Sequence, residues 1–350
     1  IGDRKMKGLV KFDKGPGNME IREIAEPVVQ PGLVKIEVKA AGICGSDIHI
    51  LHSDIAIPVR PPVVTGHEFS GVVTAVGEGV TTCKVGDRVT SETAYAYCGK
   101  CHNCKTGRYN LCDERRTLGY WFNGAFAKYT VVPEDRIHLL TDSISFEEAA
   151  LLEPAACVTH AVMDLATIQA GDVVLVSGPG AVGLIAMQVA KAHGAFVIVS
   201  GTSVDADRLA FAKKLGADRI VDVTKEDVLA VVKSLTHMGR GADVVLECSG
   251  SGRATATGIE AVRKQGQFVQ IGLAGKPFEL NFDRICYKEI KVTGSLGSVW
   301  TAWNNAIKLV EAKKLNLKDL VSHTFSLDEW EKGFDVFEKK QGLKVLFKPE

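Results

Sequence analysis

Residues 173–201, VVLVSGPGAVGLIAMQVAKAHGAFVIVSG, constrain the fold of this chain more tightly than any other stretch. Short β-branched runs at Val173–Val176 and Phe196–Ser200 bracket an apolar segment of helical length, Leu184–His193, which predicts strand, turn, helix and strand. The turn carries Gly178, Gly180 and Gly183 in G-x-G-x-x-G spacing, with Ala181 and Val182 between the last two. The first glycine permits the tight turn, the second lets a pyrophosphate approach the backbone, and the third lets helix pack on strand. Helix N-terminal amides then face the phosphates. A glycine-rich turn without a ligand is the plain alternative, and the flanking strands in register favour a nucleotide site.

The same rhythm continues downstream. Candidate strands at Arg219–Val221, Val244–Glu247, Gln267–Ile271 and Ile290–Thr293 alternate with amphipathic segments at Asp207–Leu215, Val228–Thr236 and Ala254–Lys264. Six such strands with crossover helices make an α/β, doubly wound parallel sheet of the Rossmann type. Two more helices fit Thr301–Ala312 and Leu327–Lys339. An acidic residue ending the second strand would accept the ribose hydroxyls of NAD, but that place falls on Gly201. A shifted aspartate in the 202–208 loop would serve NAD, and Arg208 would serve the extra phosphate of NADP, unless it is only a solvated first-turn residue. The choice of coenzyme stays open, leaning to NAD.

The first 150 residues read differently. Strict alternation at Val34–Ala40 marks a half-buried strand, and short strands follow at Gly71–Val76, Asp87–Ser91 and Ala127–Val132, so this half is β-rich. A helix begins at Ser145–Leu152. A length of 350 residues suits two domains, and the composition shifts near Leu152. With 42 basic and 42 acidic residues, the chain has no excess charge for DNA phosphates or an anionic membrane. The uncharged run Val173–Ala190 is broken by Ser177, Gly178, Pro179 and Gly180, which a membrane span rarely tolerates. Residues 1–15 lack the apolar run and cleavage site of a secretory leader, so the cytoplasm is expected.

Four of the nine cysteines crowd into one loop as Cys98, Cys101, Cys104 and Cys112, spaced C-x2-C-x2-C-x7-C. Four thiolates close a tetrahedron around zinc, and a site with every position filled is structural. An iron–sulfur cluster is the rival, although its motif has a shorter last spacing followed by proline. A second constellation is scattered over Cys44-Gly45-Ser46-Asp47-Ile48-His49, His67-Glu68 and Glu153. A thiolate, an imidazole and a carboxylate would hold a catalytic zinc with one open position. Spacing alone does not connect them, and the residues by themselves favour the plainer reading, with Cys44 a buried apolar residue, His67 a satisfied loop histidine and Glu153 a helix-end carboxylate.

Taken together, GICGSDIH at 42–49, GHEFSGVV at 66–73, the four-cysteine loop, LLEPAACVTHA at 151–161 and the GPGAVG turn resemble the zinc-dependent medium-chain dehydrogenases, on their sorbitol and polyol side. The resemblance implies a GroES-like catalytic domain from residues 1–154 and 295–350, with a Rossmann domain, 155–294, inserted between. It implies Cys44 and His67 as ligands of a catalytic zinc, with Glu68 and Glu153 competing for the carboxylate place. Ser46 and His49 match the family's proton relay, and Cys98, Cys101, Cys104 and Cys112 its structural zinc. Cofactors are thus two zinc ions per chain and NAD or NADP, and the chain is expected to be a homodimer or homotetramer.

The implied reaction is oxidation of a secondary alcohol of a polyol such as sorbitol, xylitol or arabinitol to a ketose. Two departures touch the substrate. Ile50 follows His49 where the sorbitol enzymes usually have tyrosine, and Gly294–Ser298 lacks their arginine. Tyr120 and Trp121 could line the pocket or simply pack. Threonine or another secondary alcohol is the nearest alternative substrate, although no carboxylate partner stands near Gly294–Ser298. A nucleotide-binding sensor or scaffold without turnover is the rival from another class, and a zinc-ribbon DNA-binding protein is weaker given zero net charge.

Overall fold

The computed structural model describes residues 4–350. Residues 1–3, which open the expected 1–154 segment and the stretch read for a leader, lie outside the described residues. The chain folds into two compact units. One takes in the chain up to Pro154 together with Val299–Ile307 and Leu317–Glu350; the other comprises Ala155–Ser298 and Lys308–Asn316. Residues 295–298 and 308–316, expected with the catalytic domain, therefore pack with the second unit.

The second unit is built on a six-stranded parallel sheet. Its order is Arg219–Asp222, Phe196–Gly201, Val173–Ser177, Ala242–Glu247, Val262–Gln270 and Lys291–Gly294, which is a doubly wound arrangement with Val173–Ser177 at its switch point. All five pairings are parallel. Strands buried on both faces need continuous β-branched runs, and Val173–Ser177 and Ala242–Glu247 are buried throughout. The helix Ala181–Ala192 buries every residue from Gly183 to Ala190. The expected helix 254–264 spans Gly252–Ala261, and residues 262–264 already belong to a strand. Val262 is β-branched, buried, and paired with Ala242, so tertiary pairing overrides local helical pattern there.

The first unit centres on the strand Leu33–Gly42, whose Val34, Ile36, Val38 and Ala40 are buried. Its outward residues form ion pairs instead, Lys35 with Glu26 at 2.5 Å and Lys39 with Glu37 at 2.9 Å. Antiparallel neighbours are Glu68–Val76 on one side and Lys344–Lys348 on the other, and Tyr129–Pro133 also pairs with it. Val345 and Phe347 from the end of the chain share one core with Ile36, Phe69 and Phe126. The strand Lys344–Lys348 thereby enters, between Leu33–Gly42 and Val321–Ser326, a sheet begun more than 300 residues earlier. Among the described residues no helix is long and apolar enough to cross a membrane.

Candidate active site

Cys44 stands at the N-cap of the helix Gly45–His52, with extended backbone. Asp47, one turn in, accepts a hydrogen bond from the Cys44 N–H at 2.9 Å, which fixes the cysteine at the helix mouth. His67 follows Gly66, whose φ is +87° and whose Cβ would strike the Phe126 ring at 2.5 Å, so only glycine lets the chain turn here. Glu68 then begins the strand Glu68–Val76. These two elements bring ligand atoms of Cys44, His67 and Glu68 within 4.8 Å of one another.

The surroundings suit a cation. Asp47 is wholly buried, and its Oδ1 faces His67 Nδ1 at 3.7 Å. Burial holds the Asp47 carboxyl above its ordinary range, while the nearby imidazole acts against that shift. Burial also opposes charge on His67, but Asp47, Cys44 and Glu153 outweigh it and raise the imidazole to about 10. A site whose anionic groups stabilise positive charge against desolvation fits zinc bound by a thiolate, an imidazole and a carboxylate. Glu153 is buried in the helix Leu152–Thr159 and acts electrostatically on His67, Tyr120 and Lys344, but it stands outside the three-residue cluster. The Glu68 carboxylate is engaged by the buried ammonium of Lys344, which also donates to the Ile43 carbonyl at 2.9 Å.

Ser46 joins the cluster, its Oγ 3.5 Å from His67 Nε2 and hydrogen-bonded with the buried Tyr120 hydroxyl. The Tyr120 ring meets His67 edge-on, 5.5 Å between centroids. His49 lies one turn after Ser46 on the exposed face, where Nδ1 meets Asp54 Oδ1 at 2.9 Å. Sequence reasoning missed Asp47 and Lys344. Asp47 leaves a trace in the capping spacing after Cys44, whereas Lys344 is 276 positions from Glu68 and leaves none.

The sulfurs of Cys98, Cys101, Cys104 and Cys112 also lie within 4.8 Å of one another. Backbone amides of Lys100 and Cys101 lower Cys98 to about 7, while desolvation and the adjoining thiols raise Cys104 to about 12. A divalent cation resolves that conflict by stabilising all four thiolates. The loop is anchored by buried Glu92, which accepts from Tyr109 Oη at 2.5 Å and meets Arg136 Nη1 at 3.5 Å and His138 Nε2 at 3.2 Å. Arg136 in turn lies 4.8 Å from the centroids of both Tyr97 and Tyr109.

The glycine turn of the second unit has the form a pyrophosphate needs. A Cβ on Gly183 would lie 1.8 Å from the Gly178 carbonyl, and Gly178, at φ +96°, abuts Ser249. A Cβ on Gly180 would meet nothing within 4 Å, which leaves the middle of the turn open beside the amides of Ala181, Val182 and Gly183. Gly201 cannot carry a side chain, since its Cβ would press on the Pro179 ring at 2.9 Å. Asp205 binds back to the Thr202 N–H at 3.1 Å and faces half-buried Arg208 at 3.9 Å.

Residues 30–142 match the alcohol dehydrogenase GroES-like domain, and residues 181–312 the zinc-binding dehydrogenase model. A sorbitol dehydrogenase of Halalkalibacterium halodurans is 45% identical over 98% of this chain and 99% of its own length. A D-arabitol-phosphate dehydrogenase of Enterococcus avium is 42% identical over 98% of this chain and 97% of its own. A crystal structure of a putative zinc-binding dehydrogenase from Sinorhizobium meliloti, bound to NADP, superposes with a TM-score of 0.90 at 31% identity, covering 99% of this chain and all of that one. Fold and sites define an oxidoreductase of the zinc-binding type. The chain belongs to the zinc-dependent medium-chain dehydrogenases, in their polyol dehydrogenase-like group.

Proposed function

We propose that the chain oxidises a secondary alcohol of a polyol to the corresponding ketose, passing a hydride to NAD or NADP. The observation that carries this reading is the convergence of Cys44, His67 and Glu68 beside the hydroxyls of Ser46 and Tyr120. In this reading Cys44, His67 and a carboxylate from Glu68 or Glu153 hold a zinc ion, and the four-cysteine loop holds a second. The metal supplies Lewis acidity that eases loss of the hydroxyl proton, and the nicotinamide supplies the carbon that accepts the hydride. Ser46 receives that proton, and His49, one turn along the same helix and oriented by Asp54, returns it to solvent. Asp47 orients His67 through its second nitrogen. Gly178, Gly180, Ala181, Val182 and Gly183 hold the pyrophosphate, and Arg208 lies at the adenosine end. The protein acts in the cytoplasm as a homodimer or homotetramer.

The test is the initial rate of NAD and NADP reduction with sorbitol, xylitol, ribitol and arabinitol, before and after chelation, with L-threonine as a parallel arm. Chelator-sensitive turnover of a polyol is expected. Turnover of threonine alone would replace the polyol reading with an amino-alcohol one, and metal-loaded protein that binds coenzyme but turns over none of these alcohols would overturn it.

A further inference from the structure

Glu247 ends the strand Ala242–Glu247 and is fully buried, yet among the described residues no lysine, arginine or histidine pairs with it. Glu68, Glu92 and Asp243, buried to a similar degree, meet Lys344, Arg136 and Arg263. Around Glu247, four donors take the place of a cation. Oε1 accepts from the Ser249 N–H at 2.9 Å and from the Ser249 hydroxyl. Oε2 accepts from the Gly250 N–H at 3.0 Å and from Gln270 Nε2 at 2.7 Å. An ionised carboxyl is acceptor-only, with about four lone-pair sites, so it satisfies all four donors; a glutamine would turn its own NH2 towards two of them. Burying a charge is costly, and here the cost is met by hydrogen bonds that all fold one short loop.

That loop, residues 248–250, backs the glycine turn. A Cβ on Gly178 would lie 2.8 Å from Ser249 Cβ and 2.9 Å from its Cα, and a Cβ on Gly183 would lie 3.5 Å from Cys248 Cβ. The first and third glycines of the turn therefore both rest on it. The Gly178 N–H is tied on its other side to the Ser200 carbonyl at 2.8 Å, so Ser249 closes the remaining direction. The loop is itself held at both ends. The Cys248 N–H donates to the Ser177 carbonyl at 2.9 Å, and a Cβ on Gly272 would strike the Gly250 nitrogen. Gln270 Nε2 donates to the Gly272 carbonyl at 2.8 Å as well as to Glu247. All of this lies at the carboxyl ends of Val173–Ser177 and Ala242–Glu247, the neighbouring strands at the switch point, where doubly wound sheets bind their ligands.

Resting on the coenzyme reading above, we propose that Glu247 is a positioning residue for the coenzyme: its carboxylate sets the 248–250 loop, and the loop fixes Gly178 and Gly183 where the pyrophosphate needs them. The experiment compares the zinc-loaded full chain with its Glu247→Gln and Ser249→Ala variants, all at urea concentrations below the onset of unfolding. NADH and NADPH are titrated by nicotinamide fluorescence, ADP-ribose and its 2′-phosphate by displacement, and KM is measured separately for coenzyme and polyol. Glu247→Gln keeps the side chain's shape and sets two of its four contacts donor against donor. It should raise the Kd of the coenzyme and of the matching ADP-ribose together, by about tenfold or more. Coenzyme KM should rise in step while the KM for polyol stays in place. Ser249→Ala removes one donor but keeps the Cβ that meets Gly178, so its rise should be smaller; should Glu247→Gln not fold, a rise there supports the assignment and an unchanged Kd overturns it. In Glu247→Gln, an unchanged Kd with only a lower urea midpoint would make Glu247 a stabilising residue and overturn the inference. A loss confined to intact coenzyme, with ADP-ribose unaffected, would overturn the route through Gly178. An unmodified chain that binds neither NADH nor NADPH would sink the coenzyme reading and this inference with it.

Discussion

Glu68 has two claims on it, as a ligand within reach of Cys44 and His67 and as the counter-charge of Lys344. Both side chains of that ion pair are almost fully buried, at 1% and 4% exposure. Removing one member of such a pair leaves the other charged and desolvated, which costs about 3–5 kcal/mol. Glu68→Gln should therefore lower the unfolding free energy by that amount, read as a lower urea midpoint, and adding Lys344→Met should restore most of it. Glu153→Gln should reduce turnover without that loss; an unchanged midpoint in Glu68→Gln would show that the pair does not carry the fold. Gly183→Ala tests the other unit, because its Cβ would overlap the Gly178 carbonyl. Coenzyme affinity, read by nicotinamide fluorescence, should fall at least tenfold. At this scale the sequence reveals residues whose motif is local, such as Cys44, His67 and the glycines. It conceals Lys344, because no spacing rule links positions 276 apart.

Elements are legible where one periodicity governs them. The β-branched runs of the parallel sheet and the alternation from Val34 to Ala40 announce themselves, and the end of the helix Gly252–Ala261 does not, because Val262 is recruited by Ala242. The four-cysteine loop was equally plain, but its anchor was not. Glu92, Arg136 and His138 lie on separate segments, and only folding joins them to Tyr109. Glu92→Ala should leave Arg136 and His138 without their buried carboxylate and accelerate zinc release from the loop, measured with a chromogenic chelator. Retention of zinc at the unmodified rate would rule out that anchoring role. A pH effect belongs to the loop ends of the parallel sheet. Hydrogen bonds from Thr224 and Ser203 hold the Asp222 carboxyl below its ordinary 3.8. A depressed folded-state pKa adds stability above the unfolded value and loses it as pH falls through the folded one. Asp222→Asn should therefore melt earlier than the unmodified chain near neutrality, and the gap should begin to narrow below pH 3.8 and shrink steadily as the pH falls toward the depressed folded-state value; a gap that does not narrow as the pH is lowered from 3.8 would refute the linkage.

For the whole molecule, order in sequence and order in space part company. The composition shift near Leu152 separates two kinds of structure, but nothing in the periodicity of residues 317–350 says that they return to the first unit. Packing explains the return. Phe347 is fully buried, meets Phe126 edge-on with centroids 5.1 Å apart, and lies 6.2 Å from Phe334. Gly333 abuts it so closely that a Cβ would be 2.8 Å from the ring, so the helix Trp330–Glu338 cannot collapse into a vacated space without shifting as a whole. Phe347→Ala should then cost about 3–5 kcal/mol, as large-to-small changes in rigid cores do. The strand that carries Phe347 also carries Lys344, the partner of Glu68, so loosening it should lower catalytic-zinc content as well. Coenzyme binding should persist, since the glycine turn belongs to the other unit. Urea denaturation followed by tryptophan fluorescence reports the first effect through Trp330, whose ring meets Phe334 at 5.4 Å. An unchanged midpoint, or coenzyme affinity falling in step with zinc, would mean that the chain's two ends do not share the core assigned to them.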